Sequence, residues 1–327
     1  MSPEPAKRRH SETPTLVPHY HPEPSPSHQP FGSNDPASDA GWAAPPPRKG
    51  FFTDTSICIG CKACEVACKE WNQLPADGFD LLGTSYDNTG GLSADSWRHV
   101  AFIEQPKPMR TTVDLGMPTV GLPGDAAEPG ERSDFRWLMS SNVCKHCTNA
   151  GCLDVCPTGA LFRTEFGTVV VQDDICNGCG YCVPACPFGV IDRRITDSGT
   201  KQAGIAQKCT LCYDRLGAGQ TPACAQACPT QSIQFGDVDE LRERAKQRVE
   251  TLHEQGVMDA RLYAADPADG VGGAGAFFLL LDEPEVYGLP PDPIVTTADL
   301  PSMMRHAAAA AAGLLVAAAA VFLGRRR

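Results

Sequence analysis

The stretch CIGCKACEVACKEWN at residues 58–72 decides the fold of this chain, because its cysteines follow the spacing C-x2-C-x2-C-x3-C. Residues 176–187, CNGCGYCVPACP, repeat that spacing and add a proline. Two more quartets lengthen one interval, to four residues in CKHCTNAGCLDVCP (144–157) and to eleven in CTLCYDRLGAGQTPACAQACP (209–229). Internal duplication of one quartet thus accounts for all 16 cysteines. The quartets are Cys58, Cys61, Cys64, Cys68; Cys144, Cys147, Cys152, Cys156; Cys176, Cys179, Cys182, Cys186; and Cys209, Cys212, Cys224, Cys228.

The spacing has a chemical reason. Three thiolates two residues apart lie on a tight turn that can wrap one iron–sulfur cubane, while the fourth faces away and, in two-cluster ferredoxins, ligates the other cluster. Gly60, Gly178 and Gly180 leave room for the chain to curl closely. A proline then turns the chain away in three quartets, but Lys69 follows Cys68 in the first. The pattern predicts four 4Fe–4S clusters.

Short apolar segments follow three quartets, at residues 160–162, 190–191 and 233–235. They are typical of the short strands that flank a ferredoxin cluster, and residues 168–171 after Gly167 complete a hairpin. Apolar residues at helical spacing between Asp237 and Gly256 predict a helix. The expected class is α+β, with two ferredoxin-like 4Fe–4S dicluster domains and long irregular insertions.

Two other uses of cysteine fit part of the pattern. Paired C-x2-C groups bind zinc, and even numbers of cysteines form disulfides in secreted proteins. Neither use requires the strict x2-x2-x3 register followed by proline. A zinc-stabilised interaction module therefore stays as an alternative of a different class, and iron and acid-labile sulfide would distinguish it.

The charge balance excludes one class of partner. The 327 residues carry a formal charge of −11, with a pI near 5.2. Nucleic-acid binding depends on clusters of Lys and Arg that neutralise phosphates. We therefore expect no nucleic-acid partner.

The two ends of the chain differ in composition from its cysteine-rich middle. Residues 1–50 hold twelve prolines and few large apolar groups, which predicts a disordered arm without an export signal of its own. Residues 307–323 lack charge and are flanked by Arg305 and by Arg325, Arg326 and Arg327. This run predicts a single membrane-spanning helix, although it is short and rich in alanine, and a helix packed on a partner is the alternative.

Several residues near the quartets have two interpretations. Lys62, Lys145 and Lys208 adjoin cysteines, where they either raise the potentials of bound clusters or extend into solvent. His146 lies between two cysteines of a complete quartet, so we expect it outside the ligand set. Trp71 is expected to fill apolar space.

The sequence around the quartets resembles that of one protein family. TSICIGCKACEVACKEWN (55–72), KCTLCYDRL (208–216) and PACAQACPT (222–230) are similar to the iron–sulfur beta subunit of membrane-bound formate dehydrogenases, one of the four-cluster subunits of molybdopterin oxidoreductases. GVGG (270–273), FFLLL (277–281) and EVYGLPPDP (285–293) resemble the segment before its membrane anchor. The resemblance covers roughly residues 51–327.

The resemblance implies which cysteines share a cluster, pairing the first quartet with the fourth and the second with the third. Each group of three takes its fourth ligand from the partner quartet. The implied sets are Cys58, Cys61, Cys64 with Cys228; Cys209, Cys212, Cys224 with Cys68; Cys144, Cys147, Cys152 with Cys186; and Cys176, Cys179, Cys182 with Cys156.

The resemblance also implies an activity. Such subunits relay electrons from a molybdenum- or tungsten-containing molybdopterin subunit that oxidises formate to a membrane cytochrome b or quinone-linked subunit. We expect no catalytic residue in this chain. Subunits of sulfoxide, tetrathionate or polysulfide reductases and of hydrogenases are the alternative. Three arginines after the apolar run place the cluster domains on the outer face of the cell membrane, reached by export with the catalytic partner.

The expected boundaries follow. The disordered arm is residues 1–50; the first dicluster domain joins 51–75 to 200–240; an inserted surface region, expected to contact the catalytic partner, covers 76–135; the second dicluster domain is 136–199; a helix and extended segment cover 241–300; and the membrane anchor is 303–327.

Overall fold

The computed structural model describes residues 36–76, 86–87, 89–106, 135–194 and 203–324. The expected disordered arm lies mostly outside these ranges, as do Arg325, Arg326 and Arg327. Helices and strands alternate irregularly, which confirms the α+β class. The helices are α1 (Pro36–Asp39), α2 (Ala63–Trp71), α3 (Gly151–Asp154), α4 (Cys182–Ala185), α5 (Tyr213–Gly217), α6 (Ala223–Gln226), α7 (Val238–Glu254) and α8 (Leu300–Gly324). The strands are β1 (Lys49–Asp54), β2 (Arg98–Pro106), β3 (Phe135–Val143), β4 (Leu161–Arg163), β5 (Val169–Val171), β6 (Asp192–Arg193), β7 (Ala206–Gln207), β8 (Ile233–Asp237), β9 (Arg261–Tyr263) and β10 (Ala276–Leu280).

A four-stranded sheet organises the described residues, in the order β8-β1-β10-β9. β1 is antiparallel to β8 and parallel to β10. Side chains of a strand alternate between the two faces of a sheet. Phe52 and Phe277 accordingly pack on one face with Leu241 of α7, while Phe51 and Phe278 pack on the other face with the cysteines. The sheet thus separates the helix from the cysteine-rich side.

The helix expected after Asp237 is confirmed as α7. Its buried residues Val238, Leu241, Ala245 and Leu252 form the apolar stripe that the spacing predicts. Gly256 follows with a φ of +84°, a left-handed conformation in which glycine avoids the clash of a Cβ.

Of the short strands expected after the quartets, two are confirmed. β4 pairs with β5 as the predicted hairpin, and β8 forms the edge of the four-stranded sheet. The third is displaced, because Val190 and Ile191 are buried in the core and pairing begins only at Asp192 of β6. Burial of consecutive apolar residues does not by itself require a strand partner.

A long β-ladder includes part of the expected insertion at residues 76–135 and continues beyond it. β2 and β3 pair over nine positions, from Arg98 opposite Val143 to Pro106 opposite Phe135. Arg98, Val100 and Leu138 are buried, so these described ends pack inward. β3 also leads directly into Cys144. The middle of the insertion, residues 107–134, lies outside the described ranges.

The apolar C-terminal run forms α8, as the sequence predicts. Met303–Leu323 is long and apolar enough to cross a bilayer, and none of this span is buried against the described remainder of the chain.

We expect Gly50→Ala to lower the thermal unfolding midpoint of the cluster-loaded protein by several degrees. An added Cβ would lie 2.0 Å from the carbonyl oxygen of Gly275 and 2.7 Å from Cγ2 of Val238. Overpacking of this kind costs about 1–3 kcal/mol. Gly236→Ala is the matched control, since Gly236 lies opposite Gly50 on β8 and its Cβ would meet only Leu241, at 3.8 Å. The midpoints would be measured by scanning calorimetry at one scan rate. Equal unfolding midpoints for Gly50→Ala and Gly236→Ala would contradict the expectation.

Candidate cluster-binding sites

All four quartets share one backbone turn. The residue before the second cysteine has a left-handed φ in every quartet: +64° at Gly60, +45° at His146, +72° at Gly178 and +58° at Leu211. Histidine and leucine adopt this conformation at a cost, so the surroundings must impose it. The quartets therefore build the same kind of loop despite their different spacing and residue types.

The ends of the quartets explain why the first one differs. Three residues beyond the last cysteine, Gly159, Gly189 and Gln231 have φ values of +68°, +60° and +55°. These quartets continue with a proline, which ends the helical turn. Without proline, Cys68 lies inside α2, and the helix continues to Trp71.

The structure brings Cys228 beside the first quartet. Burial raises the pKa of the Cys58 thiol, and the neighbouring thiols of Cys228 and Cys61 raise it further. One cavity is lined by Cys58, Cys61, Cys64 and Cys228 together. These four residues, called site I below, are a set that the resemblance implies.

The fourth quartet receives Cys68 in exchange. Burial raises the pKa of Cys68 well above its usual value, and the thiols of Cys209, Cys224 and Cys212 add to the effect. Cys68 follows Cys64 by one helical turn, so both thiols lie on the buried face of α2. α2 thereby presents one thiol to each neighbouring group. Site II is Cys68, Cys209, Cys212 and Cys224.

The second and third quartets make the same exchange. Burial raises the pKa of Cys147, and the thiols of Cys144, Cys152 and Cys186 raise it further. Burial also raises the pKa of Cys182 to about 11, with contributions from Cys176, Cys179 and Cys156. Site III is Cys144, Cys147, Cys152 and Cys186, and site IV is Cys156, Cys176, Cys179 and Cys182.

Thiols of neighbouring sites act on each other electrostatically. The thiol of Cys224 acts on Cys64 and so joins sites I and II. Cys144 acts on Cys209 and joins sites II and III, and Cys182 acts on Cys152 and joins sites III and IV. The four sites therefore follow one another in the order I, II, III, IV.

The thiols fit a cubane better than the alternatives. All sixteen cysteines lie within the described ranges and are free, so no disulfide joins them. A zinc ion draws its ligands to about 2.0–2.3 Å from one point. No three or more His, Cys, Asp or Glu side chains of the described residues converge in this way.

Unpaired donors near the thiols support this fit. Nε and Nη2 of Arg98, and Nε2 of His146, are buried without a partner among the described residues. Nδ1 of His146 accepts from the Val169 N–H at 3.1 Å, which leaves the proton of the neutral ring on Nε2. A buried donor without an acceptor costs about 1–3 kcal/mol. Anionic sulfur would supply acceptors here.

Of the three lysines that adjoin cysteines in the sequence, two are buried and not solvated. Nζ of Lys145 donates to the Val143 carbonyl at 2.8 Å and lies 4.6 Å from the ring centroid of Phe278. Nζ of Lys208 donates to the Cys209 carbonyl at 2.9 Å. Lys62 instead forms a half-buried ion pair with Asp87 at 2.8 Å. Charges at Lys145 and Lys208 therefore act on the thiols with little solvent screening.

One residue near the sites differs from the sequence prediction, and three others were not predicted from the sequence. Trp71 is 43% exposed and stacks on the Arg215 guanidinium, so it does not fill the core as expected. Ser141 contacts Sγ of Cys64 at 3.2 Å through its hydroxyl. Arg163 donates to the carbonyl of Cys147 at 3.0 Å. Ser141, Arg163 and Arg98 belong to no motif, so only the fold reveals them.

Comparison with known proteins identifies the class of domain that these cysteines belong to. Residues 57–160 and residues 135–238 each match a family model described as a 4Fe-4S dicluster domain. The protein is thus an iron–sulfur protein with two such domains.

Similar proteins show to which family of iron–sulfur proteins the chain belongs. The sequence is 38% identical over 249 residues to the formate dehydrogenase, nitrate-inducible, iron-sulfur subunit of Escherichia coli, covering 75% of this chain and 73% of that protein. It is 39% identical over 244 residues to the formate dehydrogenase iron-sulfur subunit of Haemophilus influenzae, covering 73% and 68%. The B subunit of the anaerobic dimethyl sulfoxide reductase of Escherichia coli is 35% identical over 196 residues, or 60% and 76%. This protein belongs to the family of formate dehydrogenase iron–sulfur subunits.

We expect Cys228→Ala and Cys58→Ala to abolish one and the same electron paramagnetic resonance (EPR) signal, because their thiols face each other. Cys224→Ala and Cys68→Ala should together identify a second signal. Each lost cluster removes about four irons per chain. The control is Thr230→Ala, which removes a hydroxyl 3.8 Å from Sγ of Cys228 and should keep all signals.

Low-temperature spectra of reduced, anaerobically purified protein would make this measurement. A shared loss in Cys228→Ala and Cys224→Ala, with the signal intact in Cys58→Ala, would instead show that each quartet keeps its own fourth ligand.

Proposed function

We propose that this chain relays electrons through four 4Fe–4S clusters, from a molybdopterin subunit that oxidises formate to a membrane cytochrome b or quinone-linked subunit. The observation that carries the proposal is the row of four cysteine sites, in which thiols of one site influence the thiols of the next. When bound, the clusters supply one-electron oxidation and reduction. The sixteen cysteines would hold them, with the fourth ligand exchanged as sites I–IV describe.

The residues around the sites support electron transfer along the row. Cys64, Cys68, Cys144 and Cys209 are buried, so the middle of the row is kept from water and from stray oxidants. Cys61 of site I and Cys179 of site IV are exposed. The two ends of the row are therefore the places where electrons can enter and leave.

Exposed apolar side chains surround both ends. Ile59 is 58% exposed beside Cys61, and Tyr181 is 61% exposed beside Cys179. Apolar and aromatic residues exposed at one spot are typical of protein–protein interfaces. This arrangement supports one partner subunit at each end.

The relatives support formate over sulfoxide as the partner's substrate. Alignment with the formate dehydrogenase subunits extends over 75% of this chain, but only 60% aligns with the sulfoxide reductase subunit. The segment at residues 270–293, beyond the cysteines, carries the resemblance to formate dehydrogenase subunits. A sulfoxide reductase subunit remains the second candidate, because it shares the dicluster pattern.

We expect formate to reduce the clusters of the anaerobically purified complex, and dimethyl sulfoxide to leave reduced clusters unchanged. A charge at either end of the row should oppose docking of a partner. Either Ile59→Glu or Tyr181→Glu should slow reduction by formate, and the other should slow reoxidation through the membrane partner. The matched control is Met258→Glu, at a residue 68% exposed that adjoins no cysteine.

Stopped-flow absorbance of the clusters would follow both rates. Rapid reoxidation by dimethyl sulfoxide, with formate inert, would assign the chain to the second candidate. Equal rates in all three variants would contradict the assignment of the ends.

We further propose that α8 anchors the chain in the cell membrane with the cluster domains on the outer face. Its span from Met303 to Leu323 has the needed length and composition. Three arginines follow the apolar run and one precedes it, which favours a cytoplasmic C-terminus. The cluster domains would then be exported with the catalytic partner.

Truncation after Ser302 should release the chain from membranes washed at high salt, because the remaining residues contain no other candidate span within the described ranges. In wall-stripped cells, protease added outside should degrade the cluster domains of the full chain. Their survival outside, with digestion only after lysis, would reverse the orientation. Retention of the truncated chain would show that a partner holds it.

A further inference from the structure

Arg98 places a buried positive charge between two of the proposed cluster sites. It begins β2 and is 2% exposed, far below what is usual for arginine. Nη1 donates to the Ser141 hydroxyl at 2.9 Å and to the Ser141 carbonyl at 3.3 Å. The guanidinium carbon lies 5.0 Å from the ring centroid of Phe51 on β1. Contacts from two strands therefore fix its position.

Thiols of two sites influence this guanidinium electrostatically. Those that act on it most strongly belong to Cys224, Cys64, Cys209 and Cys68, of which Cys64 is in site I and the others are in site II. The Ser141 hydroxyl that accepts from Nη1 also contacts Sγ of Cys64 at 3.2 Å. Arg98 is thus one hydroxyl away from a proposed ligand of site I.

The guanidinium also has unused donors. Nε and Nη2 are buried and have no partner among the described residues. No carboxylate hydrogen-bonds to it in the described part of the chain, so its charge is not cancelled by an ion pair. Arginine stays protonated at any working pH. The guanidinium therefore offers both a charge and free donors close to Cys64, through Ser141, and within electrostatic reach of the other thiols.

Electrostatics gives this charge a consequence for reduction. A cluster becomes more negative when it accepts an electron, so a nearby positive charge stabilises the reduced form. Screening by salt is weak for a buried group. N–H donors to sulfur act in the same direction, since hydrogen bonds to the sulfurs help to set the potential.

We propose that Arg98 is a potential-setting residue, whose fixed charge and free N–H groups raise the reduction potentials of the clusters at sites I and II. This inference rests on the proposed function, because it needs clusters at those sites. Arg98 lies on strand β2 of the β2–β3 ladder, outside every cysteine motif, so it adds a functional residue to those that the motifs identify.

Site IV offers an internal comparison. The strongest influences on Cys182 are burial, a backbone N–H and the thiols of its own site, with no cation among them. Those on Cys156 are burial and hydrogen bonds from the following residues. Loss of the Arg98 charge should therefore leave the potential of site IV where it was.

The test is a redox titration of the intact complex, followed by EPR, with Arg98→Gln and Arg98→Leu as neutral variants. Signals of sites I and II are identified by their cysteine variants. Both should move to more negative midpoints, by on the order of tenfold or more in the reduction equilibrium. Tenfold corresponds to 59 mV for a one-electron couple. The site IV signal and the iron content should not change.

Arg136→Gln is the matched control on the same β2–β3 ladder. Arg136 lies near the far end of β3, where Nε donates to Gln105 of β2 at 2.6 Å, and Ser141 is the fifth residue after it along the strand. At about 3.4 Å per residue it is remote from the anchor of Arg98. This variant removes one positive charge from the chain and should leave all midpoints unchanged.

Three outcomes would overturn the inference. Unchanged midpoints in both neutral variants with full iron would show that the charge sets no potential. Equal shifts at all four sites would make the effect global. Loss of iron from sites I and II in both variants would assign Arg98 a structural role. Failure of the proposed function would differ, since the wild-type complex itself would then lack the cluster signals.

Discussion

The exchange of one thiol between distant quartets is the constraint on which the rest of the structure depends. Cys228 can face Cys58, and Cys68 can face Cys209, only if residues near 50–70 meet residues near 205–240. Pairing of β1 with β8 brings them together, with Phe51 opposite Phe235. Parallel pairing of β1 with β10 adds a third distant segment, which covers the opposite edge of β1. The sheet is thus the scaffold that closes sites I and II.

Many thiols of the four sites are buried, and the structure places buried lysine and arginine side chains near them. Metal-bound thiolates carry negative charge, and a buried charge without compensation is costly. Lys145 and Lys208 are almost fully buried within hydrogen-bonding reach of the carbonyls beside cysteines, and Arg98 lies among the thiols of sites I and II. An acidic protein overall therefore has a locally cationic interior. The charge that matters for electron transfer is inside.

The burial of the cysteines differs between the middle and the ends of the row. The thiols by which neighbouring sites act on each other are buried, except that Cys152 is partly buried, whereas the exposed cysteines belong to the two ends of the row. In the proposed function, electrons would therefore exchange with partners at the ends and move between sites in the protected middle. The helix α8 extends away from this unit, and none of its apolar span is buried by the described residues. In the proposed function, anchoring and electron transfer would thus use separate parts of the molecule.

The sequence by itself determined the number of cysteine quartets, the tight turns at Gly60 and Gly178, the hairpin of β4 with β5, and the helix α7. These features are local, because spacing, glycine and apolar period act within a few residues. Only the tertiary structure decided that FFLLL at 277–281 supplies the centre of a sheet, that the left-handed turn recurs at His146 and Leu211, and that Arg98 lies among the thiols. Those outcomes depend on contacts between residues tens to hundreds of positions apart, for which a single sequence contains no periodic signal.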